Sequence, residues 1–204
     1  ETFLSGTPVS KDGKYTLSVA AVDAYENHAS FSVSFGVDRT ASETKDDYKK
    51  ADVWSSEDAK IALLAADEGS GVESIYYRIG AGDFMAYQLP LEIHEEGTQR
   101  IQYYALDQVG NKEPTKTITV KIDKIAPAID VIAAVTSEAT GVLTPVHLSH
   151  PAVKDNLDNS TELNTENLLK EGYALGTTQI LYKAVDHAGN SASASTNVNI
   201  EDST

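Results

Sequence analysis

The chain has 204 residues, enough for one domain of ordinary size or for several small modules. Its formal net charge of −15 repels phosphate backbones and anionic membrane faces alike, so nucleic acid is not an expected partner, and no apolar run approaches the ~18 residues that membrane insertion needs, so none is expected. Zero cysteines exclude disulfides, thiolate metal sites and a cysteine nucleophile, while 41% hydrophobic residues are ordinary for a globular chain.

In chain order, the first element is an alternating run, Leu17-Val19-Ala21, that closes on Asp23. Period two is the mark of a half-buried strand. Asn27 follows four residues on, and a second alternating run, Val33-Phe35-Val37, ends on Asp38. The pair reads as a hairpin. Residues 1–39 hold only these closing strands, and half a sandwich cannot bury both its faces, so this stretch is expected to be the C-terminal part of a truncated module. A linker, Asp38 to Ser42, runs into a charged segment, Glu43 to Ala51, expected to be a mobile connection.

The next unit supplies expected strands at Lys60–Ala65 and Ser74–Ile79, a Gly80-Ala81-Gly82 turn and a short edge strand at Pro90–Ile93. The hairpin pattern then returns: Ile101-Tyr103-Ala105-Asp107, Gly110-Asn111, and Ile118-Val120-Ile122-Asp123. A linker stiffened by Pro127 leads to strands expected near Ile129–Val135, Pro145–Leu148 and Thr177–Val185. Between them, the polar stretch Glu162–Glu171 could form one helical turn. A third hairpin closes the chain: Ile180-Tyr182-Ala184-Asp186, Gly189-Asn190, then Val198-Ile200-Glu201. The hairpin Asp recurs at 23, 107 and 186, so the chain is a tandem array. The expected class is all-β, with antiparallel sandwiches at 40–124 and 125–204 after the partial module at 1–39.

These residues carry a resemblance. Tyr-x-Ala-x-Asp, Gly-Asn, a strand and then Asp-x-x-Ala-Pro resembles the bacterial immunoglobulin-like repeats of surface and secreted proteins. Val53-Trp54-Ser55-Ser56, Ala66–Val72, Ile75-Tyr76-Tyr77-Arg78 and Tyr103–Asp107 make the middle unit the nearer match. The last unit resembles a bacterial hyaline-repeat (HYR) module through Glu138–Gly141, Asp155-Asn156-Leu157-Asp158 and Leu175–Thr178. The resemblance implies an extracellular, cell-surface or cell-wall setting, with neighbouring immunoglobulin-like modules of the same chain as first partners. It implies fold far more sharply than function, because such repeats serve as stalks, adhesin segments and enzyme spacers alike. No signal-peptide, lipidation or sorting pattern occurs in these residues, so any targeting segment is expected outside them.

No catalytic residue is expected. His147 and His150 lie three apart on a strand-to-loop stretch and share no face, and Gly69-Ser70-Gly71 lacks the following helix that a nucleophile elbow needs. The aromatics Trp54, Tyr76, Tyr77, Phe84 and Tyr87 could form a row that stacks on sugars, or could serve core packing and cross-strand pairing. Loops rich in Asp and Asn make calcium the candidate ion. In a sandwich of this kind the linker, the loop after the second strand and the closing hairpin meet at one pole. That gathers Asp123, Asp155, Asn156, Asp158 and Asp186 in the last unit, and Asp38, Asp67, Glu68 and Asp107 in the middle one. The bland alternative is that Asp107 and Asp186 accept backbone N–H bonds within their turns. The expected function is a non-catalytic segment of an exported bacterial protein, acting as surface stalk, spacer or adhesin and touching a glycan or host-surface ligand at most. The alternative is a carbohydrate-binding accessory region of a secreted glycan-degrading enzyme.

Overall fold

The computed structural model describes residues 6–203, and none of these forms a helix. The strands are β1 (Gly13–Val22), β2 (His28–Val37), β3 (Glu43–Asp46), β4 (Trp54–Ser55), β5 (Ala59–Ile61), β6 (Leu63–Ala66), β7 (Val72–Ile79), β8 (Met85–Ala86) and β9 (Leu91–Ile93). They continue with β10 (Gly97–Asp107), β11 (Lys116–Ile122), β12 (Ala128–Ile129), β13 (Val135–Glu138), β14 (Val153–Lys154), β15 (Glu162–Glu166), β16 (Gly176–Val185) and β17 (Ser191–Glu201). Two compact units contain them: residues up to Lys49 with Lys60–Glu92 and Arg100–Thr119, and Lys50–Ala59 with Ile93–Gln99 and the chain from Val120 onward.

One topology occurs twice. In the first instance β3 pairs with β6 and β5 with β9, while a second sheet runs β4-β11-β10-β7-β8. In the second, β12 pairs with β14 and the other sheet runs β13-β17-β16-β15. Each time, a short early strand lies parallel to the closing strand, β4 beside β11 and β13 beside β17, while the remaining registered pairs are antiparallel. This is an immunoglobulin-like β-sandwich arrangement, in which the opening strand divides between two sheets.

Alternation decides what is buried. Along β10 the residues Ile101, Tyr103, Ala105 and Asp107 are all buried, and each intervening residue is more open. In the last repeat Tyr173, Ile180, Tyr182, Val198 and Ile200 form one core, with Ile129, Val146, Leu148 and Leu163 against it. Full burial of an aliphatic side chain such as Ile180 contributes about 1.5–3 kcal/mol. The first hairpin differs. Its register sets Leu17 opposite Val33 and Val19 opposite Phe31, so its apolar residues share one face. That face is open: Val19 is 54% and Phe31 68% exposed, although their pattern matches that of the buried hairpin residues farther along.

Several elements depart from expectation. The single strand expected at Lys60–Ala65 is two, because the amide and carbonyl of Ala62 both turn to Asp47, and β5 and β6 then pair with different partners. Glu43–Asp46 form β3, so the segment expected as a mobile connection opens on a strand. The strand expected at Ile129–Val135 is divided into β12 and β13, each in its own sheet. No strand forms at Pro145–Leu148; the neighbouring Thr144 makes a bridge with Tyr173 instead. Glu162–Glu166 is not a helical turn but β15, registered along β16, and it ends where Asn167 takes a left-handed φ of 62°. In the Gly-Asn turns the left-handed residue is Gly110 (φ 93°) or Gly189 (φ 90°), and in the first hairpin Glu26 (φ 62°) adopts the same conformation without glycine's freedom.

Candidate metal centre

Each hairpin turn is built around its aspartate. Asp107 Oδ1 accepts from the amides of Val109 (3.0 Å) and Asn111 (2.7 Å), and its Oδ2 accepts from Asn111 Nδ2 (2.6 Å). Asp23 is held in the same way by the amides of Tyr25 and Asn27 and by Asn27 Nδ2. Asp186 accepts from the Asn190 amide and from Asn190 Nδ2, both at 2.8 Å. The bland alternative for these aspartates is therefore real, since all three carboxylates organise their own turns.

The asparagine does more than close the turn. Asn111 Nδ2 also donates to the carbonyl of Asp38 (3.2 Å), and Asn190 Nδ2 to the carbonyl of Asp123 (2.8 Å). In both places the hairpin thus grips the closing aspartate of the preceding hairpin. Sequence reading treated these asparagines only as turn residues; their fixed place four positions after each Asp was the available signal.

This grip brings carboxylates together. Asp38, Asp67 and Asp107 form one cluster and Asp123, Asp155 and Asp186 another, with the nearest oxygens of each trio all within 4.8 Å of one another. The other candidates stay outside these trios. Glu68 and Asn156 are exposed. Asp158 Oδ2 accepts from the His187 amide (2.9 Å) and faces His187 Nδ1 (2.7 Å). The amide of Ser160, outweighing burial, and then His187 hold the Asp158 carboxyl down at about 2.

The two clusters differ in how well protein donors serve them. Asp38 accepts from the amides of Thr40 and Ser70, one to each oxygen, and Asp67 Oδ1 accepts from those of Gly69 and Gly71. Gly69 leaves room for this arrangement, because a Cβ at that position would push the Asp38 carboxylate aside. Burial pushes the Asp107 carboxyl up, but Asn111 and the Val109 amide reverse this and hold it below the usual range. In the second cluster Asp123 is only 2% exposed, and among the described residues its sole side-chain hydrogen bond is a 3.2 Å contact from the Ile125 amide to Oδ1. Asp155 Oδ1 accepts two amides, yet its Oδ2 is buried with no partner among the described residues. Burial, reinforced by the charges of Asp155, Asp186 and Glu96, pushes the Asp123 carboxyl up.

The aromatic candidates do not lie in one row. Tyr76 stacks on Tyr104 at 5.4 Å, Phe84 meets Tyr104 edge-on at 4.8 Å, and Lys112 Nζ sits 3.6 Å over the Tyr104 ring. Tyr77 meets Tyr87 edge-on at 6.3 Å, and the Tyr87 hydroxyl accepts from the Leu63 amide. Trp54 belongs to β4, at the opposite end of the strand order from β8.

A further residue escaped the sequence reading. Glu113 is 4% exposed and accepts from the Thr44 hydroxyl, the Thr44 amide (3.1 Å) and the Ala105 amide (2.9 Å), with Lys116 Nζ at 3.1 Å. It fastens β3 to β10, and its partner lies 69 residues away, so no local pattern announces it.

No family model matches the chain. Among solved structures it is similar to the fibronectin(III)-like modules of Clostridium thermocellum CbhA, at 12% identity and a TM-score of 0.36, over 78% of this chain and 95% of that one. It is also similar to protocadherin gamma B2 extracellular cadherin domains 3–6 (15% identity, TM-score 0.35, 92% of this chain and 57% of that one). The human desmocollin-1 ectodomain matches at 14% identity and a TM-score of 0.32, over 94% of this chain and 47% of that one. The chain thus spans about half the length of these two cadherin chains.

Proposed function

We propose that this chain is a non-catalytic, tandem immunoglobulin-like segment of a larger exported bacterial protein, serving at the cell surface or wall as a spacer or adhesin segment. Its modules are a partial sandwich at 1–39, a sandwich at 40–124 and an HYR-like sandwich at 125–204. One observation carries the reading. The same Asp–Asn turn closes all three hairpins, and in two of them the asparagine holds the backbone carbonyl of the preceding repeat's last aspartate. A device repeated at each linker acts on the chain's own architecture, whereas a ligand site needs to occur only once. The strongly acidic surface fits a segment that must stay soluble at high local density.

The competing reading, a carbohydrate-binding accessory region, is tested directly. The 204-residue chain and its Trp54→Ala variant are applied to a glycan array. The spacer reading expects no saturable binding by either. Saturable binding of one glycan class that is lost on Trp54→Ala overturns it.

A further inference from the structure

We propose that the Asp123–Asp155–Asp186 cluster binds one Ca²⁺ ion, and that the matching Asp38–Asp67–Asp107 cluster needs none because protein donors already fill it. This inference stands on the two clusters themselves and does not depend on the spacer reading.

The geometry suits the ion. Oxygens bound to one Ca²⁺ at about 2.3–2.6 Å lie at most about 5 Å apart, and the three carboxylates of each trio meet within 4.8 Å. A Mg²⁺ ion, which demands near-ideal octahedral geometry at about 2.0–2.1 Å, fits such a loop-borne set less well. Proximity alone does not separate the clusters, since both satisfy it. Carboxylate oxygens without a donor do. In the last cluster Asp123, 2% exposed, has an Oδ2 that meets no donor among the described residues, and Asp155 Oδ2 is buried with no partner among them. An acceptor left unpaired in a buried site is costly, and two beside a third carboxylate are costlier. A divalent cation removes both penalties at once. In the first cluster Asp38 and Asp107 each have both oxygens occupied by donors, which leaves Asp67 Oδ2 alone to offer itself. The two sites therefore look alike in sequence and differ in chemistry. Waters would complete the six to eight ligands that Ca²⁺ takes.

The test is calorimetric titration of CaCl₂ into the EDTA-stripped 204-residue chain, alongside Asp155→Asn and Asp67→Asn. Wild type and Asp67→Asn should each bind one equivalent, and Asp155→Asn should lose at least tenfold in affinity. A complementary ¹⁵N-amide titration of the wild type needs no substitution: Leu157 and Asp158 should shift with Ca²⁺ while Gly69 and Gly71 stay put. No binding heat at millimolar Ca²⁺ overturns the proposal. Two equivalents, or shifts confined to Gly69 and Gly71, overturn the assignment of the ion to the last cluster.

Discussion

Replacing Glu113 by alanine tests how far a single carboxylate holds β3 against the rest of its sandwich. The substitution strips an acceptor from the buried amides of Thr44 and Ala105 and from the Thr44 hydroxyl, and leaves Lys116 without its counter-charge. An unsatisfied buried donor costs about 1–3 kcal/mol, and breaking a buried charged network costs about 3–5 kcal/mol. We therefore expect Glu113→Ala to lose about 3–5 kcal/mol, and Thr44→Val, which removes the hydroxyl alone, about 1 kcal/mol. Urea unfolding followed by the emission of Trp54, the single tryptophan, measures the loss. Hydrogen exchange at the Ala105 amide reports it locally. There is also a pH signature. Burial pushes the Glu113 carboxyl up, but Thr44, Lys116 and the Ala105 amide overcome this and hold it below its ordinary value. A depressed folded-state value means the stabilisation is complete above the unfolded value of about 4.3 and is lost as pH falls through the folded one. Glu113→Gln should flatten that acid limb. A Glu113→Ala protein within 1 kcal/mol of wild type, estimated against the handicap of two bare amides, would refute the reasoning.

Two further outcomes follow from the turns. Glu26→Gly relieves a left-handed residue and should stabilise the first hairpin by about 0.5–1 kcal/mol, visible as slower exchange at the Asn27 amide. Asn190→Ala removes donors to both Asp186 Oδ2 and the Asp123 carbonyl and should cost about 1–2 kcal/mol by urea unfolding, whereas Asn27→Ala, in a solvent-exposed turn, should cost under about 0.5 kcal/mol.

The hairpins were legible because alternation, a turn and a terminal carboxylate coincide three times, and each reports local backbone geometry. Features that depend on distant partners were not. The run Ile61–Ala66 carries no punctuation, yet Ala62 breaks it because Asp47, 15 residues earlier, takes both its backbone groups. Glu162–Glu171 is a polar stretch with three leucines that suggests a helical turn, but Leu163 lies on a strand beside β16 and packs against the core. The clusters were legible as a gathering of acids at one pole. Which acids join was not: Asp158 and Asp155 stand three apart in one loop, and Ser160 and His187 take up the oxygens of Asp158.

The parallel pairing of first and last strands bears on how the fold meets tension. β13 runs alongside β17 from Val135 opposite Val198 to Glu138 opposite Glu201, and the Ala139 amide extends the ladder to the Glu201 carbonyl. Because the strands are parallel, the chain enters β13 at one end of this ladder and leaves β17 at the other. A pull on the two flanks therefore slides the strands lengthwise and strains their hydrogen bonds together, whereas an antiparallel hairpin drawn from its open end unzips bond by bond. β4 and β11 set the same shear geometry between Trp54 and Lys121, continued by the Asp123 amide on the Ser55 carbonyl. Each sandwich thus presents its most collective bonds to an axial load, and rupture must begin with the simultaneous failure of a short ladder.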